Sequence, residues 1–151
     1  MERTWWNTPD VAWAILFTRG ILGLLFFMTG WFKVFTLGPV GHAQQFFISD
    51  FSESWIPLWL LWALGTTIPF VELGGGVLLL VGFQVRRVLL VMGALLLTVT
   101  YGHLLQQPFF DITVHVLPRA MLLIVLFLIP AKGDRWSLDG LMRRKDPAPP
   151  Q

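Results

Sequence analysis

A few ionisable side chains stand inside otherwise apolar stretches of the sequence. Glu72 is the only formal charge between Ile56 and Phe83, and Arg19 interrupts the apolar stretch that begins at Val11. An ionisable side chain near the middle of a bilayer costs about 2.5–3.5 kcal/mol on insertion scales, so it normally faces a partner or a cavity. Such groups form structural ion pairs or mark the paths of protons and substrates.

Arg19 and Glu72 are predicted to form an ion pair. Arg19 lies about eight residues past Val11, or roughly 12 Å along a helix, and Glu72 lies about ten residues before Gly82, or roughly 15 Å from the same surface. Opposite charges at similar depth on neighbouring helices are expected to pair, because each alone would bear the full cost of desolvation. We interpret the pair as a structural contact between two helices, with a proton or substrate path as the alternative.

Glycines recur on the same helical faces as these charges. A glycine lets two backbones approach closely, as in the small-residue contacts of membrane helices. At 3.6 residues per turn, the charged faces carry four predicted helix-packing glycines, namely Gly23, Gly30, Gly65 and Gly76.

A second set of polar residues is predicted nearer the outer surface of the membrane that the protein spans. It consists of Lys33, His103, His115 and Arg119, of which His115 and Arg119 are four residues apart and share a helical face. If these faces point inward, they form a basic pocket for an anion or for the oxygens of a quinone head. The alternatives are that the histidines bond to backbone or headgroups, that His103 and His115 ligate a haem, and that Lys33 extends to the headgroups. Neither type nor spacing identifies a catalytic residue.

Membrane helices must position these residues. The chain of 151 residues is 55% hydrophobic and only 13% charged, whereas soluble domains are nearer a quarter charged. Four apolar segments, at about residues 11–35, 56–83, 88–105 and 112–130, are each near the roughly 20 residues that span a bilayer as a helix. The predicted fold class is all-α, an integral membrane four-helix bundle over residues 1–135. A cytoplasmic tail, 136–151, follows, and its proline-rich end is predicted to be disordered.

The positions of lysine and arginine predict the orientation. The loops at residues 36–55 and 106–111 contain neither, whereas the N-terminal tail, the loop with Arg86 and Arg87, and the C-terminal tail contain several. By the positive-inside rule both termini are cytoplasmic. We predict a multi-pass protein of a bacterial-type cytoplasmic (inner) membrane. The loop at 36–55 mixes aromatic and polar residues, which is typical of a short amphipathic segment at the outer interface or of an aromatic anchor for the flanking helices.

The absence of cysteine excludes several kinds of chemistry. Disulfides, thiolate metal sites, iron–sulfur ligation and dithiol redox chemistry all need a thiol that the sequence lacks. We predict no metal site and no covalent cofactor. The predicted partners are the lipid bilayer and further protein subunits, and no feature indicates nucleic acid.

Two motifs carry a family resemblance. The first apolar segment contains Arg19-xxx-Gly23-Leu-Leu-Phe26-xxx-Gly30-xx-Lys33, and the second contains Glu72-Leu-Gly-Gly-Gly76 and later Gly82-Phe before an arginine pair. Over roughly residues 12–130 this pattern resembles the DoxX-like membrane proteins. The resemblance implies a four-helix bundle. It also implies a link to quinone-dependent oxidation, since the related DoxD protein is the large subunit of thiosulfate:quinone oxidoreductase.

Two functions of different class remain open on the sequence. The first is a membrane subunit of a quinone-linked oxidoreductase or electron-transfer complex, with quinone as the candidate cofactor in the pocket of Lys33, His103, His115 and Arg119. The second is a structural or assembly subunit of a larger respiratory or photosynthetic complex, without activity of its own. A transporter is a weaker third possibility, because the chain has no inverted repeat.

Overall fold

The part of the chain that the computed structural model describes, residues 5–109 and 111–145, folds into helices and contains no strand. The N-terminal Arg3 and the proline-rich end predicted to be disordered lie outside the described residues. The α-helices are α1 (Pro9–Trp31), α2 (Pro39–Ala43), α3 (Ser49–Phe51), α4 (Leu58–Val81), α5 (Val85–Gln106), α6 (Val116–Leu128) and α7 (Leu138–Lys145). The π-helical turns Phe32–Thr36 and Gln44–Ile48 extend α1 and join α2 to α3, and the 3-10 turns Trp5–Asn7 and Ala131–Gly133 complete the helical segments.

Three helical segments are long and apolar enough to cross a membrane. They are Pro9–Thr36, Leu58–Val81 and Val85–Gln106, with 28, 24 and 22 residues. A bilayer core of about 30 Å requires roughly 20 helical residues, so each segment meets that length. The membrane character predicted from composition is therefore confirmed for these three segments, and their bounds differ from the predicted ones by a few residues.

The fourth predicted segment is shorter than expected. A helix over 112–130 would place Pro118 in its interior, where the missing N–H removes a hydrogen bond, whereas α6 begins at Val116 and has Pro118 in its first turn. The helix ends because Pro130 disfavours a helical conformation for Ile129, which is extended at φ −84° and ψ 129°. Its 13 residues measure about 20 Å, so a crossing by this segment stays a prediction.

Helices α1 and α4 pack antiparallel with their backbones in close contact. A Cβ atom added to Gly30 would overlap the backbone of Leu73, and one added to Gly76 would overlap the backbone of Phe27. Small residues at these positions allow the contact, as in other membrane helix pairs. Gly65 has a different neighbour, because its α-carbon faces Ala43 of α2 rather than α1.

The close contacts define the register of the α1–α4 pair. Gly30 meets Leu73 and Gly23 meets Leu80, and in each pair the residue numbers add up to 103. Val81, the last residue of α4, is therefore level with residue 22 of α1. The first three turns of α1 extend beyond that end of α4. We call it the Val81 end of the molecule and the opposite one the Leu58 end.

The remaining helices pack around this pair. Helix α6 contacts α1 and α5, and α5 contacts α4 and α6. The core between them is apolar and includes four fully buried side chains from α1, α4 and α5, namely Leu22, Leu79, Leu89 and Met92.

The segment from α2 to α3 covers α4 near the Leu58 end. It is helical throughout residues 39–51, where a short amphipathic segment is predicted, and its His42 and Ala43 are buried. Gly38, at φ 77°, lets the chain turn from the end of α1 into this segment. The segment therefore contributes side chains to the interior as well as a polar face.

At the Val81 end, the C-terminal segment is bonded to the helical domain. Oδ1 and Oδ2 of Asp139 accept hydrogen bonds from the backbone N–H groups of Gln84 and Val85, at 2.8 and 3.0 Å. A carboxylate at this position satisfies the free amides of the α5 N-terminus. Residues 136–145, placed in the tail by sequence, thus include contacts that fix the α4–α5 turn.

Candidate functional site

The predicted pair between Arg19 and Glu72 is wrong, because the structure gives each charge another partner. Nε of Arg19 lies 3.4 Å from Oδ2 of Asp134, and Nζ of Lys33 lies 2.7 Å from Oε2 of Glu72. The register explains the difference, since Glu72 is level with residue 31 of α1, twelve residues or about 18 Å from Arg19. The predicted depths of Arg19 and Glu72 assume that α1 and α4 end at the same level, but α1 extends well beyond α4 at the Val81 end.

The Arg19 guanidinium also binds the end of α4. Its Nη1 donates to the carbonyl oxygens of Leu79 and Leu80 at 2.5 and 2.9 Å, and its Nη2 donates to the carbonyl oxygen of Trp136 at 3.0 Å. The last carbonyls of a helix have no donors within the helix, and its dipole favours a cation there. Arg19 therefore joins α1, α4 and the C-terminal segment at one point. We call Arg19, Asp134 and these carbonyl groups the Arg19 cluster.

Asp134 gives the Arg19 cluster a pH dependence. Burial raises the pKa of the Asp134 carboxyl above its ordinary value of 3.8, and the charge of Arg19 opposes that rise. Because the folded chain binds the proton more tightly than the unfolded chain, this contribution to the free energy of unfolding falls as the pH rises through the folded-state pKa. We therefore expect the contribution of Asp134 to the melting temperature to decline as the pH rises above 3.8, so that Asp134→Asn loses less melting temperature with rising pH than the wild-type protein does.

The matched control is Asp10→Asn, since Asp10 is an exposed carboxylate at the same end of the molecule. It should leave the slope of melting temperature against pH as in the wild type. Equal slopes for Asp134→Asn and the wild-type protein would contradict the assignment.

The second buried polar group is centred on Glu72. Its side chain is 9% exposed and accepts a hydrogen bond from Lys33, whose side chain is 25% exposed. Lys33 lies in the π-helical turn Phe32–Thr36, and single π-turns next to α-helices are frequent at functional sites. Arg119 and His42 lie within electrostatic range of Glu72. We call Lys33, His42, Glu72 and Arg119 the Glu72 cluster.

Arg119 extends toward the cluster from α6. Its guanidinium lies 5.6 Å from the ring centre of Phe26, and its Nη groups donate to the carbonyl oxygens of His115 and Leu25 at 2.6 and 3.5 Å. Its Nε is buried and has no hydrogen-bond partner among residues 5–109 and 111–145. A buried donor without an acceptor is costly, so this N–H can gain by binding an oxygen atom of a ligand.

His42 is a member of the cluster that sequence reasoning missed. Its ring is 3% exposed, and its Nδ1 lies 2.7 Å from the carbonyl oxygen of Gly65. Within α4 that carbonyl would accept a hydrogen bond from residue 69, but residue 69 is proline and has no N–H. Pro69 is the signal in the sequence, because an interior proline leaves the carbonyl four residues earlier without its helical donor.

The Gly65 carbonyl fixes the tautomer of His42. A carbonyl oxygen only accepts, so Nδ1 of His42 carries the hydrogen and donates it. Burial lowers the pKa of His42, which favours the neutral ring. In a neutral ring with hydrogen on Nδ1, the other nitrogen, Nε2, is a hydrogen-bond acceptor and a base.

Two of the four residues predicted to form the pocket belong to the Glu72 cluster, and the two histidines lie outside it. Lys33 and Arg119 belong to it, whereas His103 lies within electrostatic range of Lys33 and of His115. His115 itself is exposed, and its backbone carbonyl rather than its ring contacts Arg119. Within residues 5–109 and 111–145, no group of three or more metal-ligating side chains is placed to hold a metal ion.

The charges of the cluster suit an oxygen-bearing or anionic ligand. Lys33 and Arg119 carry two positive charges against the single negative charge of Glu72. The cluster also combines a free donor, Nε of Arg119, with an imidazole acceptor, Nε2 of His42. Donors and an acceptor of this kind can hold a carbonyl or hydroxyl oxygen and can move a proton to or from it.

Comparison with known proteins identifies the family. A family model described as DoxX matches residues 14–104, which is more than half of the chain and runs from α1 through most of α5. No curated protein and no solved structure matches the chain. The matched range contains Arg19, Lys33, His42 and Glu72, whereas Arg119 and Asp134 lie beyond it. The chain is a member of the DoxX family.

Proposed function

We propose that this DoxX-family protein is a membrane subunit that works with a quinone-linked oxidoreductase or electron-transfer complex, and that the Glu72 cluster is its ligand site. One observation carries the proposal: the buried Nε of Arg119 has no hydrogen-bond partner in the part of the chain that the structure describes, and Arg119 lies within electrostatic range of Glu72 in the ion pair. A structural ion pair of Lys33 and Glu72 alone would not need a second cation beside it. A ligand oxygen would satisfy that donor.

The chemistry of a quinone head fits the groups in the cluster. When bound, a quinone would supply two-electron redox chemistry, with its electrons exchanged with a partner protein of the complex. Nε of Arg119 would donate to a quinone oxygen and stabilise negative charge on it. Nε2 of His42 would accept a hydrogen bond from a hydroxyl group, and Glu72 would hold the Lys33 ammonium in position.

The proposed topology is a four-helix bundle with both termini in the cytoplasm of a bacterial-type cell, in its inner membrane. It is supported by the grouping of cations at the Val81 end, where Arg86 and Arg87 lie close to Arg143. In this arrangement α6 and its flanking residues make the fourth crossing. The Glu72 cluster then lies toward the outer surface, on the side of the bilayer opposite those arginines.

A quinone-binding measurement tests the proposed site. Protein purified in mild detergent should retain a lipid-soluble quinone, or bind an added one, and Arg119→Ala should weaken that binding by on the order of tenfold, as expected for the loss of one charged hydrogen bond. Lys132→Ala is the control, because Lys132 is an exposed cation at the Val81 end. The proposal fails if the wild-type protein binds no quinone, or if Arg119→Ala binds it as tightly as Lys132→Ala does.

An exposed aromatic surface favours a second candidate, a structural or assembly subunit of a larger membrane complex. Trp55 and Trp59 are 77% and 71% exposed near the Leu58 end, and Phe109 is fully exposed. Tryptophan is enriched both at membrane interfaces and in protein contacts, so these side chains suit partner helices as well as lipid. Isolation as a monomer that binds quinone in the absence of other polypeptides would count against this candidate.

A further inference from the structure

A groove at the Val81 end is separate from the Glu72 cluster. It has a volume of about 490 Å³ and is lined on one side by the start of α5 and on the other by α7. Its charged lining residues are Arg86, Arg87, Arg143 and Asp139. We propose that this groove binds the phosphate headgroup of an anionic phospholipid. The proposal does not depend on the quinone function.

The carboxylate in the groove does not cancel the charge of the arginines. Both oxygens of Asp139 accept hydrogen bonds from the backbone N–H groups of Gln84 and Val85. The partial positive charge of the α5 N-terminus therefore compensates the carboxylate. Three guanidinium groups remain, and their net charge favours an anion.

Two of the arginines have donors to spare. A guanidinium has five N–H groups. Arg87 is exposed and, within the described part of the chain, makes one hydrogen bond, 3.3 Å to the side chain of Gln84. Arg143 uses two groups, since its Nε donates to the Asp139 carbonyl at 3.1 Å and its Nη2 donates to the Ala131 carbonyl at 2.8 Å. The remaining donors can form the paired contacts to phosphate oxygens for which arginine is suited.

Backbone carbonyl groups hold the side chain of Arg86 in the wall of the groove. Its Nη1 donates to the carbonyl oxygen of Phe127 at 2.7 Å, and its Nη2 donates to that of Ile129 at the end of α6. The side chain is therefore held by backbone groups and adds positive charge at a fixed place. Arg143 is held similarly, so these two side chains lose little conformational entropy when a ligand binds.

The position of the groove favours a lipid over a soluble phosphate. Arg87 is the third residue of the spanning helix α5, so it lies where that span leaves the apolar region. On α7, the apolar Leu138, Leu141 and Met142 are 42%, 53% and 45% exposed. Exposed apolar residues beside cations are typical of a short helix at the membrane interface. Basic pockets at the cytoplasmic ends of membrane helices commonly take phospholipid headgroups.

Lipid binding to the purified full chain tests the proposal. Native mass spectrometry of the protein in detergent would count bound phosphatidylglycerol and phosphatidylcholine, each added alone, and then bound phosphatidylglycerol in the presence of millimolar inorganic phosphate. We expect phosphatidylglycerol to bind, phosphatidylcholine to bind at least several-fold more weakly because its headgroup has no net charge, and inorganic phosphate not to compete. Arg87→Gln with Arg143→Gln should weaken phosphatidylglycerol binding by on the order of tenfold or more.

Two further variants make the result decisive. Lys132→Gln removes one exposed cation at the same end but outside the groove, and it should bind phosphatidylglycerol like the wild type. If the double variant does not fold, Arg87→Gln alone can be measured in its place. Arg87 is exposed and weakly bonded, so the single variant should fold like the wild type. Equal phosphatidylglycerol binding by the wild type and Arg87→Gln, or competition by millimolar inorganic phosphate, would overturn the lipid assignment.

Discussion

Arg19→Ala is expected to destabilise the protein more than any other single replacement of a charged side chain within the described residues. Removing one partner of a buried ion pair costs roughly 3–5 kcal/mol, because the other charge stays buried without compensation. Here the substitution also removes the Arg19 donors from the carbonyl groups of Leu80 and Trp136, and it leaves the Leu79 carbonyl with only the backbone N–H of Gly82, at 3.2 Å. The measurement is the melting temperature of the detergent-purified protein, together with its level in the membrane.

Three comparisons support the interpretation of that result. Glu72→Ala should be less damaging than Arg19→Ala, since Lys33 is one-quarter exposed and its long side chain can extend to polar surroundings. Arg87→Ala, at an exposed arginine, should leave the melting temperature nearly unchanged. Arg19→Lys should recover only part of the loss, because an ammonium group cannot reproduce the fork of a guanidinium. If Glu72→Ala were the more damaging change, the assignment of partners would be wrong.

The second large effect is expected at His42, and Pro69 should control its size. His42→Phe keeps a ring of similar shape but leaves the Gly65 carbonyl without a donor, which costs about 1–3 kcal/mol for a buried acceptor. Pro69→Ala restores an N–H group that can donate to the same carbonyl. The loss caused by His42→Phe should therefore be clearly smaller in the Pro69→Ala background, as a double-mutant cycle of melting temperatures would show.

The exposed His115 provides the control, because His115→Phe should cost the same in both backgrounds. Nitrogen-15 spectra of the histidines give an independent test, since the tautomer with hydrogen on Nδ1 has a characteristic pair of shifts. Equal losses for His42→Phe in the two backgrounds would show that His42 does not act through the Gly65 carbonyl. A spectrum with hydrogen on Nε2 would contradict the proposed acceptor role of that atom in ligand binding.

The sequence predicts much of the helical frame because its signals are local. Long apolar segments indicate the three spanning helices, and the glycines on the face of Arg19 indicate where α1 approaches another backbone. The ends of α6 also follow from local chemistry, because Pro118 is tolerated only in the first turn of a helix and Pro130 ends the helix before it. These features depend on neighbouring residues in the chain, so a single sequence contains the information.

The partners of the buried charges could not be predicted in the same way. Depth counted from the apparent ends of apolar segments has an error of several residues, and each residue shifts a side chain by about 1.5 Å along the helix. An error of this kind paired Arg19 with Glu72. Asp134 lies outside every apolar segment, so no rule about membrane charges draws attention to it. Only the register, fixed by contacts such as Gly30 with Leu73, separates the two ion pairs.

The bonds of Arg19 have a consequence for the synthesis of the protein. The chain is made and inserted from its N-terminus, and Trp136, which accepts a hydrogen bond from Arg19, follows it by 117 residues. Through most of translation α1 therefore carries a cation whose carboxylate partner does not yet exist. The contact can close only after the chain has been made as far as Trp136. A chain cut short before Asp134 would therefore leave Arg19 without its carboxylate partner, however well its three long apolar helices were inserted.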